Sequence, residues 1–294
     1  MMTKYHSRKL TPKTSRHKEN LGEPGDLVSW WWIVLPLVFF SIVSCRALPT
    51  PRPSVRIEFA GSDSLQWIAK SIAGAYSEQR ADVAFSFKIS NSQNGINATE
   101  GYSRTIGLVS RTVKSGELNG WRAVAVALDG VAVIVSKPNP INSITRAQVI
   151  QVFDGEIITW PTGAIAGKNI LVVSREEGSG TRDAFQAMVM KGQRVTRTAV
   201  VMPSEAQVVE FVAKHPEAIG YVSMGAVEGE VHALSVDNIA LSPHAVETLQ
   251  YPFVRTLAFI VPVKPDGEMQ EFLDFVLGVD GQALIGQKYG RINP

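Results

Sequence analysis

The sequence has 294 residues, of which 45% are hydrophobic and 19% are charged, and its formal net charge is +2. A chain of this length can bury a sizeable core without crosslinks, and its single cysteine excludes an internal disulfide framework. The positive charge does not indicate a nucleic-acid partner, because six Lys/Arg against three Asp/Glu lie in residues 1–44. Without that segment, 23 basic and 24 acidic side chains remain, a net charge of −1.

Residues 1–44 have a basic, polar start and an uncharged run from Leu27 to Ser44, which is the layout of a secretory signal. The end of this run, Ile42-Val43-Ser44-Cys45, resembles a bacterial lipobox, so we expect a lipid on Cys45. An uncleaved membrane helix is the alternative, although the run is slightly shorter than the ~20 residues that span a bilayer. Three prolines make residues 45–54 a tether rather than part of a fold.

The folded part begins with a strand, a small polar turn and a helix. Val55 to Phe59 alternates as a strand, Gly61-Ser62-Asp63-Ser64 follows, and apolar residues at helical spacing predict a helix that starts near Ser64. Asp63 or Ser64 could serve simply as the helix cap.

Two further strands end in polar residues. Val83 to Ile89 alternates and is followed by a turn that contains Ser92, and a short apolar run, 106–109, ends in Ser110-Arg111. Next come two β-rich runs, 123–128 and 131–136, which Asp129-Gly130 is expected to separate.

The central stretch repeats the strand, turn and helix. Ile170 to Val173 predicts a buried strand, Gly178-Ser179-Gly180 a turn, and a helix begins near Thr181. A helix N-terminus that follows such a turn exposes free backbone N–H groups, which favour an anion. Arg175 adds a guanidinium whose planar fork fits two oxygens of a tetrahedral oxyanion.

The rest of the chain continues the alternation of helices and strands. Thr145 opens a helix, Ser204 with Gln207 predicts a capping box, and Ala218 to Val222 a buried strand. Residues 256–261 form another strand, and an amphipathic helix follows around residues 269–276. The pattern predicts an α/β protein with mostly parallel sheets, in which ligands sit beyond the carboxyl ends of strands.

The segment Arg175-Glu176-Glu177-Gly178-Ser179-Gly180-Thr181-Arg182 resembles the ligand-holding segment of the phosphate-binding proteins of ABC transporters. The other loops resemble that family in the same order from Val55 to Pro294, although the turn around Ser92 has fewer glycines than the family pattern. The resemblance implies a two-lobed, type II periplasmic-binding fold with the ligand cleft between the lobes. Lobe I would contain residues 55–135 and 252–294, and lobe II residues 136–251.

The resemblance also implies a ligand site and a function. In it, Glu177 would hold the Arg175 fork and Asp129 would support the site. Asp63 departs from the family, whose carboxylate lies at the position matching Arg111; because phosphate at neutral pH keeps a hydrogen that sulfate lacks, we expect Asp63 to accept it. The implied ligand-binding residues are Ser62, Asp63, Ser64, Ser92, Arg111, Arg175, Ser179, Gly180 and Thr181. The function would be capture of inorganic phosphate for an ABC permease by a monomeric lipoprotein on the outer face of the bacterial cytoplasmic membrane, or in the periplasm.

Two alternatives stay open. The first is another oxyanion on the same fold, such as molybdate, tungstate or sulfate, and the second is an anchored sensory or adhesion ectodomain that has lost its ligand. The five histidines lack ligand spacing and no nucleophile has a recognisable base, so we expect no metal, no cofactor and no enzymatic activity.

Overall fold

The computed structural model describes residues 55–100 and 104–292, so the predicted signal, Cys45 and the tether lie outside the described residues. The strands are β1 Val55–Ser62, β2 Val83–Ser90, β3 Thr105–Val109, β4 Trp121–Ser136, β5 Ser143–Ile144, β6 Leu171–Arg175, β7 Val200–Met202, β8 Ala218–Ser223, β9 Val231–Ala233, β10 Ser235–Val236 and β11 Val254–Pro262. The α-helices are α1 Gln66–Gln79, α2 Ser92–Asn97, α3 Arg146–Asp154, α4 Gly180–Phe185, α5 Glu205–Lys214, α6 Pro243–Glu247, α7 Gly267–Leu277 and α8 Val279–Ile285.

The main sheet runs in the order β2-β1-β3-β11-β4-β8-β6-β7, and β9 also pairs with β4. Its two ends are parallel, because β1 pairs in parallel with β2 and β3, and β6 pairs in parallel with β7 and β8. Its centre is antiparallel, where β11 and β4 pair with each other and with their outer neighbours β3 and β8. The α/β prediction is confirmed, with a mixed sheet.

Strand β4 joins the two parallel ends. Its first part pairs with β11 as far as Gly130, and from Val131 onward it pairs with β8. The predicted interruption at Asp129-Gly130 is therefore wrong. Both residues stay in the ladder because they lie opposite Arg255 and Val254 of β11.

Separate hydrophobic cores fill the two ends of the sheet. The first packs α1, α7 and α8 against β1, β3 and the first part of β4, around Phe59 and Phe272. The second packs α3, α4 and the single π-helical turn Gln186–Met190 against β8 and the second part of β4, with Phe185 stacked on Tyr221 at 4.0 Å. Helix α5 covers the opposite face of β8 through Val208 and Val212.

Local capping explains where several predicted helices begin. Thr145 forms a full capping box with Gln148 at the start of α3. Ser204 caps α5 by accepting from the backbone N–H of Gln207, which confirms the predicted start of the helix but forms only one of the two bonds of the predicted capping box. Asp266 caps α7, whose residues in the first core are Met269, Phe272, Leu273 and Val276.

Candidate functional site

Six buried hydroxyl side chains meet where the ends of β1, β3 and β6 approach one another. This hydroxyl cluster consists of Ser62, Ser64, Ser92, Ser110, Ser179 and Thr181, each at most 1% exposed. The oxygens of Ser62 and Ser110 lie 2.8 Å apart, and those of Ser64 and Thr181 lie 3.0 Å apart. Ser92 Oγ accepts from Ser110 N at 3.0 Å. The structure thus brings together the five hydroxyl residues predicted from the sequence, and it adds Ser110.

Close backbone packing holds these residues in place. Gly61 has φ +124°, and a Cβ there would lie 2.5 Å from the carbonyl oxygen of Leu108, so β1 approaches its neighbours more closely than a side chain allows. The predicted helix after β1 begins at Gln66, because one 3-10 turn, Asp63–Leu65, comes first. Gly180 also lies in the cluster, since a Cβ there would be 2.1 Å from Ser92 Oγ.

Arg175, the last residue of β6, presents a fully buried guanidinium beside the cluster. Its Nε and Nη2 donate to Glu176 at 3.0 and 3.2 Å, and Nη2 lies 3.1 Å from Asp63 Oδ2. Its Nη1 has no hydrogen-bond partner among the described residues, and Glu205 Oε1 lies 3.8 Å away. A buried charged donor without a partner is costly, which makes Nη1 a candidate contact for an anion.

The predicted pairing of Arg175 with Glu177 is wrong, because Glu176 holds the guanidinium instead. Glu176 directly follows the strand, and its carboxylate turns back along the arginine side chain. Glu177 lies one residue further into the turn, with its side chain exposed.

Asp63 links the two ends of the sheet. Its Oδ2 accepts from the backbone N–H of Glu205 at 2.8 Å and pairs with Arg175, so it does not cap its own helix. Burial raises the pKa of the Asp63 carboxyl to about 7, the Glu205 carboxylate raises it too, and the Arg175 charge acts in the opposite direction. Burial thus favours the neutral form of Asp63 more than in an exposed carboxyl group.

Arg111 was predicted as a second cationic contact, and the structure pairs its terminal nitrogens with Glu117, whereas its Nε has no hydrogen-bond partner among the described residues. Nη1 and Nη2 donate to the two carboxylate oxygens of Glu117 at 2.9 and 2.8 Å, and Nε lies 3.2 Å from Asp183. The hydrogen bonds to Glu117 raise the pKa of Arg111 above the ordinary value for arginine. Its charge is thus already compensated.

Arg255, which the sequence analysis missed, is the second buried cation of the site. It donates to Ser64 Oγ at 3.1 Å, to the Ser110 carbonyl at 2.9 Å, and to Asp129 Oδ2 at 2.8 Å. Asp129, predicted as a supporting residue, also accepts from Ser223 Oγ and from Met224 N. Burial raises the pKa of Asp129 to about 6, against the opposing effect of Arg255. A charged residue inside an apolar strand was the sequence signal for Arg255.

Glu205, also missed, is 3% exposed at the start of α5. Its Oε1 accepts from Thr181 Oγ1 at 2.7 Å and from Ser64 Oγ at 2.8 Å. A groove of about 610 Å³ opens beside it, lined by Asp63, Trp67 and Lys288 among others. The site therefore combines buried hydroxyl and guanidinium donors with the carboxylates of Asp63 and Glu205, which line or adjoin a groove.

Other kinds of site are not built from the described residues. Across residues 55–100 and 104–292, His, Cys, Asp and Glu side chains form no group of three that suits a metal ion. None of the described helices has both the length and the apolar character that crossing a membrane requires.

Comparisons with known proteins agree with this geometry. The PBP superfamily domain matches residues 48–280. The phosphate-binding protein PstS of Bacillus subtilis is 25% identical over 82% of this chain and 81% of its own length. PstS 2 of Streptococcus agalactiae is 34% identical over 133 residues, but this match spans only 45% of that protein.

Solved structures show the same relationship. A Clostridium perfringens protein assigned as a phosphate ABC transporter substrate-binding protein, with bound phosphate, is 30% identical with a TM-score of 0.76. This match covers 81% of the present chain and all of the Clostridium perfringens chain. An ABC-type phosphate transport receptor from Vibrio cholerae is 26% identical with a TM-score of 0.65, and that match also covers 81% of this chain and all of the receptor. These relatives are binding proteins rather than enzymes. The chain therefore belongs to the PBP superfamily, and its relatives place it among substrate-binding proteins of the phosphate ABC transporter type.

Proposed function

We propose that this protein binds inorganic phosphate at the hydroxyl cluster and delivers it to an ABC permease. The observation that carries the proposal is Arg175, whose buried Nη1 lacks a hydrogen-bond partner among the described residues. This nitrogen lies 3.8 Å from Glu205 Oε1, the oxygen to which the hydroxyl groups of Ser64 and Thr181 donate. Charged hydrogen bonds contribute roughly 1.5–3 kcal/mol each, so several are needed to reach micromolar affinity, about −8 kcal/mol. The names and the bound phosphate of the relatives favour phosphate among tetrahedral oxyanions.

Isothermal titration of the exported protein with phosphate, sulfate and molybdate tests this proposal. We expect a single phosphate site of micromolar affinity or tighter, and weaker binding of the two anions that carry no proton at neutral pH. Equal or stronger binding of molybdate would favour the alternative oxyanion. Absence of binding to all three would favour an ectodomain without a ligand.

Asp63→Asn should narrow the difference between phosphate and sulfate affinity. Phosphate at neutral pH can donate a hydrogen to the Asp63 carboxylate, whereas sulfate offers only acceptors and would repel it in a dry site. Competition titration would measure the affinity ratio in both proteins. Asp266→Asn is the matched control, because Asp266 accepts from Met269 N at the start of α7 and asparagine can keep that cap. An unchanged ratio in Asp63→Asn would contradict a role in selectivity.

We propose that the two ends of the sheet are the two lobes, with the ligand cleft between them. Lobe I would contain residues 55–135 and 252–294, and lobe II residues 136–251. The separate cores support this division. Strand β4 changes its pairing partner between Gly130 and Val131, so the first passage of the chain from lobe I to lobe II would begin at Gly130. The contact of Asp63 with Arg175 would then bridge the lobes.

We further propose that the protein acts outside the cytoplasmic membrane as a monomer anchored by a lipid on Cys45. Mass spectrometry of the protein extracted from membranes should show a chain that begins at Cys45 and carries acyl chains. Cys45→Ser should release the folded protein from the membrane fraction. A chain that still contains residues 1–44 would support the uncleaved membrane helix instead.

A further inference from the structure

Ser64 lies where the proposed lobes meet, and contacts from several parts of the chain set its position. Its Oγ donates to Glu205 Oε1 at 2.8 Å, lies 3.0 Å from Thr181 Oγ1 and accepts from Arg255 Nη2 at 3.1 Å. Its backbone carbonyl accepts from the hydroxyl group of Tyr289 at 2.9 Å. The side chain and the backbone of Ser64 are therefore held separately.

Tyr289 places a buried hydroxyl group beside Ser64. The residue is 1% exposed, and burial raises the pKa of its phenol, which therefore stays protonated and can donate. Its ring contacts the ring of Trp67 in the first turn of α1, with centroids 6.0 Å apart. From the proposed lobe II, a Cβ placed on Gly225 would overlap the phenol oxygen. The hydroxyl group is thus enclosed by the start of α1 and by the turn that follows β8.

The residues that follow Tyr289 fix its place in the fold. Gly290 exchanges two backbone hydrogen bonds with Leu128 of β4, at 2.8 and 2.9 Å. Arg291 Nε donates to Glu247 Oε1 at 2.7 Å, and the backbone N–H of Arg291 donates to the same oxygen at 2.9 Å. Leu128 belongs to the proposed lobe I, and Glu247, in α6, belongs to the proposed lobe II. Tyr289 is therefore anchored to both proposed lobes.

We propose that Tyr289 is a positioning residue of the anion site, whose hydroxyl group fixes the backbone at Ser64 and thereby directs Ser64 Oγ toward the ligand. This inference rests on the proposed function and the proposed lobes, and it concerns a residue that acts through another one. A donor that is held in its bound position before the ligand arrives costs less free energy to order on binding. Without the phenol oxygen, the Ser64 carbonyl loses a buried partner, and the turn at residues 62–64 is less restricted.

Isothermal titration of the full chain in mild detergent with inorganic phosphate tests the inference. Tyr289→Phe removes the hydroxyl group and keeps the ring that contacts Trp67. We expect this variant to bind phosphate about threefold to tenfold more weakly than wild type. Tyr251→Phe is the matched control, because Tyr251 is also 1% exposed and donates to a backbone carbonyl, that of Val131, at 3.2 Å. Both variants should lose similar thermal stability, and only Tyr289→Phe should lose affinity.

A double-mutant cycle separates positioning of Ser64 from a general loss of rigidity. In a Ser64→Ala background, the further change Tyr289→Phe should weaken binding by less than about twofold, because the positioned hydroxyl group is already absent. In a Ser179→Ala background, the same change should still weaken binding about threefold to tenfold. Ser179 belongs to the proposed lobe II, where it accepts from the backbone N–H of Arg182.

Several results would overturn the inference alone. These are wild-type affinity in Tyr289→Phe, an equal loss of affinity in Tyr251→Phe, and equal losses in the two serine backgrounds. If Tyr289→Phe folds poorly, Arg291→Gln provides a second reading, because it loosens the segment after Tyr289 and should weaken phosphate binding in the same direction. Wild-type affinity in a folded Arg291→Gln protein would then count against the inference. A wild type that binds no phosphate overturns the proposed function and the inference with it.

Discussion

Replacing Arg175 with alanine should abolish measurable phosphate binding. Arg175 is buried, and its guanidinium has a nitrogen without a hydrogen-bond partner beside the hydroxyl cluster. Water that entered the space left by alanine would supply neither the positive charge nor the planar set of donors. Loss of two charged hydrogen bonds, roughly 3–6 kcal/mol, would weaken binding at least about a hundredfold. Isothermal titration of both proteins would measure the loss.

The same substitution should also lower stability, because it leaves Asp63, Glu176 and Glu205 without their shared cation. Breaking a buried ion pair by removing one partner costs roughly 3–5 kcal/mol, which thermal unfolding would detect. Arg175→Lys separates the two effects, since it keeps the positive charge and loses the bidentate geometry. We expect it to recover much of the stability and little of the affinity.

Arg182→Ala provides a control on the same turn. Arg182 donates to the carbonyl of Arg175 at 3.3 Å, and no contact with the hydroxyl cluster is recorded for its side chain among the described residues. Its loss should change phosphate affinity little. An Arg175→Ala protein that is folded and binds phosphate normally would contradict the assignment of the site.

Most of the site could be predicted where the signal is local. Small polar residues after an apolar run are visible in the sequence, and they mark the end of a strand or the start of a helix. The site residues found in this way are Ser62, Ser92, Ser179 and Thr181. Parallel strands then place these positions at the same edge of a sheet. The α/β class follows from the same alternation of strands and helices.

The missed residues depend on contacts between distant parts of the chain. Arg255 and Glu205 enter the site because β11 lies beside β3 and α5 lies beside the end of β8. The charge of Arg255 inside an apolar strand was visible in the sequence, but its partners were not. The wrong prediction that Glu177, rather than Glu176, pairs with Arg175 has another cause. Two neighbouring carboxylates follow Arg175, and only the path of the turn decides which one returns to the guanidinium.

Arg111 shows a different case, in which the local pattern is correct and the predicted contact with an anion stays a prediction. The residue does follow Ser110 at the end of β3 and is 5% exposed, as a site cation would be. The carboxylate of Glu117, in the loop that follows, lies close enough to take both terminal nitrogens. Burial and charge alone therefore do not identify an anion contact, because the partner already present decides whether a donor is available.

Gly180→Ala should reduce phosphate affinity by about tenfold or more while leaving the fold intact. A Cβ at this position would lie 2.1 Å from Ser92 Oγ and 2.3 Å from Ser110 Oγ, so both hydroxyl groups would have to move. The backbone itself accepts alanine, because Gly180 begins α4 and is not among the glycines of positive φ. The overlap itself should cost about 1–3 kcal/mol of stability, because two fully buried side chains must shift to make room for the Cβ.

Gly267→Ala is the matched control for this prediction. Gly267 is likewise the first residue of a helix, α7, and no described atom lies within 4 Å of a Cβ placed there. Gly267→Ala should therefore unfold at or slightly above the wild-type temperature and keep its phosphate affinity, whereas Gly180→Ala should lose affinity and some stability. Full affinity in Gly180→Ala would mean that Ser92 and Ser110 do not contact the anion. The hydroxyl cluster would then be a packing feature, and the anion would have to be held by Arg175 and the groups on its own side of the cleft.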